Sequence, residues 1–222
     1  MFKNHPKGLP VLFFTEMWER FGFYLILGIF VLYMQAGVDP VIAAKSGLGM
    51  KETVAKDIFG TYLALVYLTP FIGGLLADRV LGYRRSIVIG GILMGLGYCG
   101  LAMPGYGAHF FISLLFIIVG NGFFKPNIST LVGNLYNDDR YREQKDAGYN
   151  IFYMGINIGA FFCNFVAAYL RLNYGWGYAF LAAGIGMFIG VIWFIAGKKH
   201  IIDADVLKPT VPGDRPVGLI LA

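Results

Sequence analysis

The sequence predicts an all-α membrane protein, a six-helix transmembrane bundle, on three observations. Of its 222 residues 57% are hydrophobic and 17% aromatic, and only 14% are charged, where a soluble domain carries nearer ~25% charged residues. Its mean hydropathy is +0.64, so the chain has too little polar surface to cover a water-soluble core. The apolar residues gather in six runs near or above the ~20 residues that a helix needs to cross a ~30 Å hydrocarbon layer. These runs are continuous and do not alternate in polarity, which favours helices over barrel strands.

The spans are read at 9–36, 58–77, 86–103, 109–133, 149–170 and 177–197. The first is too long for a signal peptide, holds three charges and lacks a small-residue cleavage pattern. The connection at 37–57 is the longest and is expected to carry a short interfacial helix. Residues 1–200 are read as the membrane bundle and 201–222 as a cytoplasmic linker or tail. The closing run from Pro216 to Ala222 reads equally as a floppy tail or as a seventh span cut short.

Orientation follows from the loops. Of the 18 Lys and Arg residues, twelve lie on the side of the N-terminus, the second and fourth loops and the tail. Four lie on the other side, and Arg20 and Lys125 fall within spans. This asymmetry places both ends of the segment in the cytoplasm. The formal charge of +5 is spread between apolar blocks with no dense basic patch, which argues against a nucleic-acid partner. Cys99 and Cys163 lie in apolar runs and read as packing residues. His5, His109 and His200 sit near span ends and form no ligand set, and no nucleophile motif or phosphate loop supports an enzyme or a metal.

The informative residues are charges inside the membrane. From a helix start near Leu9, Arg20 lies ~16 Å deep at ~1.5 Å per residue, close to the bilayer midplane. Each such charge costs at least ~2.5 kcal/mol to insert, so three in one span require a protein-lined or watery setting. Glu16, Glu19, Arg20 and Tyr24 recur at i, i+3, i+4 and i+8, on one helical face. Lys125 lies ~22 Å into the fourth span from His109. Pro126 follows it and frees a backbone carbonyl, and Asn121 and Ser129 share the Lys125 face. A salt-bridged lock for the first cluster and a snorkelling lysine for the second are the plainer alternatives.

The four membrane charges sum to zero. Protonating one glutamate would leave a net positive site suited to a substrate carboxylate, which is a means of coupling by linkage. In the fifth span, Asn150, Tyr153, Asn157 and Asn164 form a polar stripe that reads equally as cavity lining or interhelical glue. Gly155 and Gly159 are a small-xxx-small pair for close packing, and Tyr67 in the second span either faces the cavity or bonds locally. Spans one and four open each set of three and carry the midplane charges, as nested three-plus-three inverted repeats would place them.

These residues also carry a family resemblance. Glu16-x-x-Glu19-Arg20-Phe21 resembles the first-helix ExxERF motif of the proton-dependent oligopeptide transporters, a branch of the major facilitator superfamily. Gly73 through Asp78-Arg79 and Gly82 to Arg85 is similar to the superfamily motif between helices two and three. Phe124-Lys125-Pro126-Asn127-Ile-Ser129 and Phe152-Tyr153-Met-Gly-Ile-Asn157-Ile-Gly159 resemble the fourth- and fifth-helix signatures. The resemblance implies the N-terminal half of a twelve-helix, multi-pass transporter that imports di- and tripeptides with protons. The compact chain, with no targeting extension, is expected in a bacterial inner membrane. By motif position Glu16, Glu19 and Arg20 would couple protons. Arg20, Tyr24, Tyr67, Lys125 and Asn157 would line the peptide site, and Asp78, Arg79 and Arg85 would form a gating loop. The implied partners are small peptides, protons, membrane lipid and a C-terminal six-helix half, with no cofactor beyond the coupling proton. Two positions depart from the family: Phe23-Tyr24 stands where two tyrosines are common, and Leu27 where many bacterial members carry a second arginine. Two other readings stay open: a related symporter for nitrate or another small anion, and a non-transporting membrane interaction fragment.

Overall fold

The computed structural model describes residues 1–39 and 41–206. Six long helices follow one another: α1 (Gly8–Gln35), α2 (Glu52–Leu76), α3 (Tyr83–Leu101), α4 (Ala108–Leu135), α5 (Lys145–Asn173) and α6 (Trp176–Ala196). Five are long and apolar enough to cross a membrane. The sixth, α3, is shorter and opens with Arg84 and Arg85, but it is packed between α4 and α6 like its neighbours.

Packing runs around the bundle in the order α2, α4, α3, α6, α1, α5, with α1 and α4 touching across the middle. Exchanging the first three helices for the last three maps these pairings onto themselves: α1 with α5 becomes α4 with α2, α1 with α6 becomes α4 with α3, and α3 pairs with α6 in both. Because α1 and α4 start at opposite ends, the two triplets are inverted repeats, and the pairing supplies the evidence that self-similarity in sequence does not. α2 and α5 close the two ends of the order and bury the least.

Contacts settle which segments share an end. His5 Nδ1 lies 2.7 Å from the Tyr136 hydroxyl at the end of α4, and Gly8 abuts the His200 carbonyl beyond α6. At the opposite end the Trp176 indole donates to the Lys45 carbonyl at 3.0 Å. The grouping of loops read from the sequence therefore holds for the described residues.

Several boundaries differ from the apolar runs. α2 begins at Glu52 rather than 58, and its first turn carries an exposed Lys56–Glu52 pair at 2.5 Å. An apolar run marks the hydrocarbon layer, whereas helical hydrogen bonding continues into the polar interface. The interfacial helix expected within 37–57 is only one 3-10 turn, Ala43–Lys45. The amides of Gly47, Leu48, Gly49 and Met50 return to carbonyls of Gly37, Tyr33, Ala36 and Met34. They thus satisfy the acceptors that the C-terminus of α1 leaves open, and such amides are not free to build a helix.

The expected gating loop is also not a loop. α2 continues through one π turn, Ala77–Leu81, and the chain reverses at Gly82 with φ +79° before α3 begins. A side chain there would meet the left-handed penalty that glycine avoids. Beyond α6, residues 201–206 pack on the bundle, with Ile201 and Ala204 buried. Asn134 Nδ2 donates to the Ala204 carbonyl at 2.9 Å. Asp205 Oδ1 accepts the Tyr83 and Arg84 amides at 2.8 and 3.2 Å, capping α3. The tail from 207 onward, including the run from Pro216 to Ala222, lies outside the described residues.

Candidate functional site

The membrane charges converge where α1 meets α4. Glu16, Glu19 and Arg20 are buried. The Arg20 guanidinium donates to both Glu19 oxygens, with Nη2 2.5 Å from Oε1. Its Nε also lies 3.3 Å from Glu16 Oε1. Across the helix boundary, Lys125 Nζ lies 3.5 Å from that same oxygen. Glu16 therefore joins the two cations, and the four charges form one neutral chain. Pairing is what makes the burial tolerable, because an isolated ion loses several kcal/mol of hydration. The Arg20 guanidinium also lies over the Phe23 ring at 4.6 Å and within 5.9 Å of the Tyr24 ring, a cation–π arrangement.

The network is closed on one side and open on the other. Glu16 and Glu19 are inaccessible, whereas the Lys125 side chain is 36% exposed. Tyr67 of α2 is 74% exposed, and Tyr153 of α5 is 57% exposed. Asn150, Asn157 and Asn164 are exposed as well, and among the described residues Asn150, Tyr153 and Asn157 have no hydrogen-bond partner. Asn150, Tyr153 and Asn157 therefore face away from the other helices, whereas Asn164 lies against Gly28 of α1. Tyr24 is half-buried beside Arg20.

Two backbone features hold α2 and α5 in place. Pro70 lies inside α2 and has no N–H to give the Val66 carbonyl four residues back. Asn121 Nδ2 fills that vacancy from α4 at 2.9 Å, one turn from Lys125. On the other flank, a Cβ at Gly155 would press on Phe13 and one at Gly159 on the Met17 carbonyl, so the glycine pair lets α5 close on α1.

The motif between helices two and three stands at the far end. The Tyr83 hydroxyl donates to Asp78 Oδ1 at 2.9 Å. Arg79 shares the same π turn, and Arg85 is exposed on the first turn of α3. These three are separate from the buried charges. Three residues that sequence reasoning passed over belong to the picture. Asp205 carries no local pattern that marks a cap. Tyr62 and Tyr98 are fully buried, and among the described residues their hydroxyls, like Glu16 Oε2, have no hydrogen-bond partner. Both phenols lie within electrostatic reach of Glu19 and Arg20. Nothing in their sequence neighbourhood separates them from ordinary interior tyrosines.

A family model described as the POT family matches residues 84–213, more than half of the chain. The chain belongs to the POT family. Among its relatives, it is 41% identical over 198 residues to YclF, an uncharacterized transporter of Bacillus subtilis, covering 89% of this chain and 39% of the relative. It is 38% identical over 213 residues to a di-/tripeptide transporter of Lactococcus lactis, covering 96% of this chain and 42% of the relative. Among solved structures, a peptide transporter POT in complex with sulfate superposes with a TM-score of 0.88 at 40% identity, over 100% of this chain and 44% of that one. A POT family transporter in complex with 5-aminolevulinic acid gives 0.85 at 35%, over 100% and 45%. The chain thus spans about two fifths of the length of these relatives. It matches the N-terminal half of their major facilitator fold, and it is an integral, multi-pass membrane protein.

Proposed function

We propose that this chain supplies the N-terminal bundle of a proton-coupled symporter that imports di- and tripeptides. The observation that carries the reading is the buried chain of Glu19, Arg20, Glu16 and Lys125, closed within the bundle at its acids and open at its lysine. The peptide transporters among its relatives lend the cargo.

With both acids ionised the cations are fully engaged. A proton on Glu16 frees Lys125 and part of Arg20, and a proton on Glu19 frees the Arg20 fork. Either leaves one positive charge beside an open face, where a peptide carboxylate would complete the network. Proton and peptide then favour each other's binding, which is symport stated as linkage. Arg20 would relay between acids and peptide. Tyr24, Tyr67, Lys125 and Asn157 would contact it, and Asp78, Arg79 and Arg85 would gate. No enzymatic step and no cofactor beyond the proton enters this scheme. The peptide cavity would close against a C-terminal half. Residues 1–200 would form the bundle and 201–222 a cytoplasmic linker, in a bacterial inner membrane.

The test uses the full-length protein in proteoliposomes. Labelled dialanine should enter faster when the outside is acidic. Glu19→Gln should abolish accumulation against a gradient while leaving some exchange, and Arg20→Ala should lose both. A Glu19→Gln protein that still concentrates peptide refutes the coupling assignment. Competition by nitrate and not by tripeptides moves the cargo to a small anion.

A further inference from the structure

Away from the open face, α3 and α6 pack side by side on the back of the bundle. Their outer surface is an apolar strip of Ile89, Ile92, Leu96, Ile185, Ile189 and Ile192. At its basic end the strip leads into two adjoining hollows. One, of about 270 Å³, is walled by Val88, Ile89, Phe194 and Ile195, with Arg84, Arg85 and Lys198 at its rim. The other, of about 300 Å³, is lined by Val80, Leu81, Gly82, Arg84, Arg85 and Asp205. Arg84 and Arg85 form the wall between them.

Three cations meet here, and the described residues supply one acid. That acid, Asp205, already accepts two backbone amides and lies 3.9 Å from Arg84. Among the described residues Arg85 and Lys198 have no acidic partner. The net balance is two positive charges at the junction of an apolar hollow and a polar one, at the level where α3 and α6 leave the hydrocarbon.

We infer that this junction is a binding site for one anionic phospholipid. Its phosphate would sit between Arg85, Arg84 and Lys198, its headgroup hydroxyls in the polar hollow and one acyl chain against Ile89 and Phe194. Charge selects an anionic headgroup, since basic hollows between helices at the membrane surface attract anionic lipid. The apolar hollow selects lipid over free phosphate, because a chain segment gains from leaving the bulk bilayer only where a fitted groove receives it. The site lies apart from the buried charges and from the tyrosines assigned to the peptide; it shares Arg85 with the proposed gate, and lipid retention is read without transport, so the two assignments fail separately.

Native mass spectrometry of the protein, purified as its own gene encodes it and titrated with lipid, tests the site. Phosphatidylglycerol should be retained as one copy roughly tenfold more tightly than phosphatidylethanolamine or phosphatidylcholine, with a preference that weakens in salt. Arg85→Gln with Lys198→Gln should remove that preference, whereas Lys51→Gln at the other end should not. Ile89→Trp, which fills the groove and keeps every charge, should also weaken retention. Equal retention of the three lipids, or an unchanged preference in the Arg85/Lys198 variant, overturns the site. Displacement by inorganic phosphate at equal concentration overturns the lipid in favour of a plain anion site. Elution volume and helix content, unchanged in each variant, separate lost binding from lost fold.

Discussion

Glu16 Oε1 serves Arg20 and Lys125 at once, so the two cations are not independent. Removing either partner of a buried pair leaves the other uncompensated, at a cost of ~3–5 kcal/mol. Lys125→Met alone should therefore destabilise the protein, and Glu16→Gln together with Lys125→Met should recover part of the loss. A double-mutant cycle on thermal or chemical unfolding in detergent should return a coupling of ~0.5–3 kcal/mol. Strict additivity would mean that the two side chains do not meet. Asn121 invites a second measurement at this scale. Its amide satisfies the carbonyl that Pro70 orphans, and no water reaches that carbonyl from the hydrocarbon side. Asn121→Leu should cost ~1–3 kcal/mol, the range for a buried acceptor left bare, and a lower unfolding midpoint would report it. Adding Pro70→Ala restores an N–H in the helix and should reverse most of that loss.

At the level of helices, the contact between α1 and α5 depends on small residues. Gly159→Leu drives a side chain onto the Met17 carbonyl and should destabilise by at least ~1–3 kcal/mol, as overpacking does. Gly60, in α2 with nothing near its missing Cβ, is the control, and Gly60→Ala should stay neutral or stabilise slightly. The elements differ in how visible they were beforehand. The six spans, the glycine pair and the buried charges were legible because membrane burial makes each expensive or geometrically constrained, and that leaves a mark in composition or spacing. The starts of α2 and α5 were not, because helical hydrogen bonds do not end where hydrophobicity does. The turn at Gly82 was legible as a glycine but not as the whole connection. Asp205 and the Tyr62 and Tyr98 hydroxyls act through partners remote in sequence, and the identities of those partners exist only once the helices have packed. The polar stripe of α5 was ambiguous for a related reason. Spacing shows which residues share a face, and only packing shows whether a neighbour covers it.

For the molecule as a whole, the inverted pairing and the charge asymmetry make one joint statement about topology. Contacts at one end tie together the N-terminus, the turn at Gly82, the end of α4 and residues 198–205. Those at the other tie the 36–51 connection to the start of α6. The basic residues concentrate at the first of these ends, and cytoplasmic placement of Lys and Arg is the strongest general determinant of orientation. Both termini of this segment should therefore be cytoplasmic, and single-cysteine labelling decides the matter. In a background with Cys99→Ala and Cys163→Ala, Lys199→Cys should react with a membrane-impermeant maleimide only in inside-out vesicles, and Lys51→Cys only in right-side-out cells. Both side chains are exposed, so failure to react in one preparation reports sidedness rather than burial. The reverse pattern would invert the bundle and place both termini of this segment outside. Labelling of both positions from one side would break the six-span topology itself, because an even number of crossings separates neither terminus from the other, whereas an odd number separates Lys51 from Lys199.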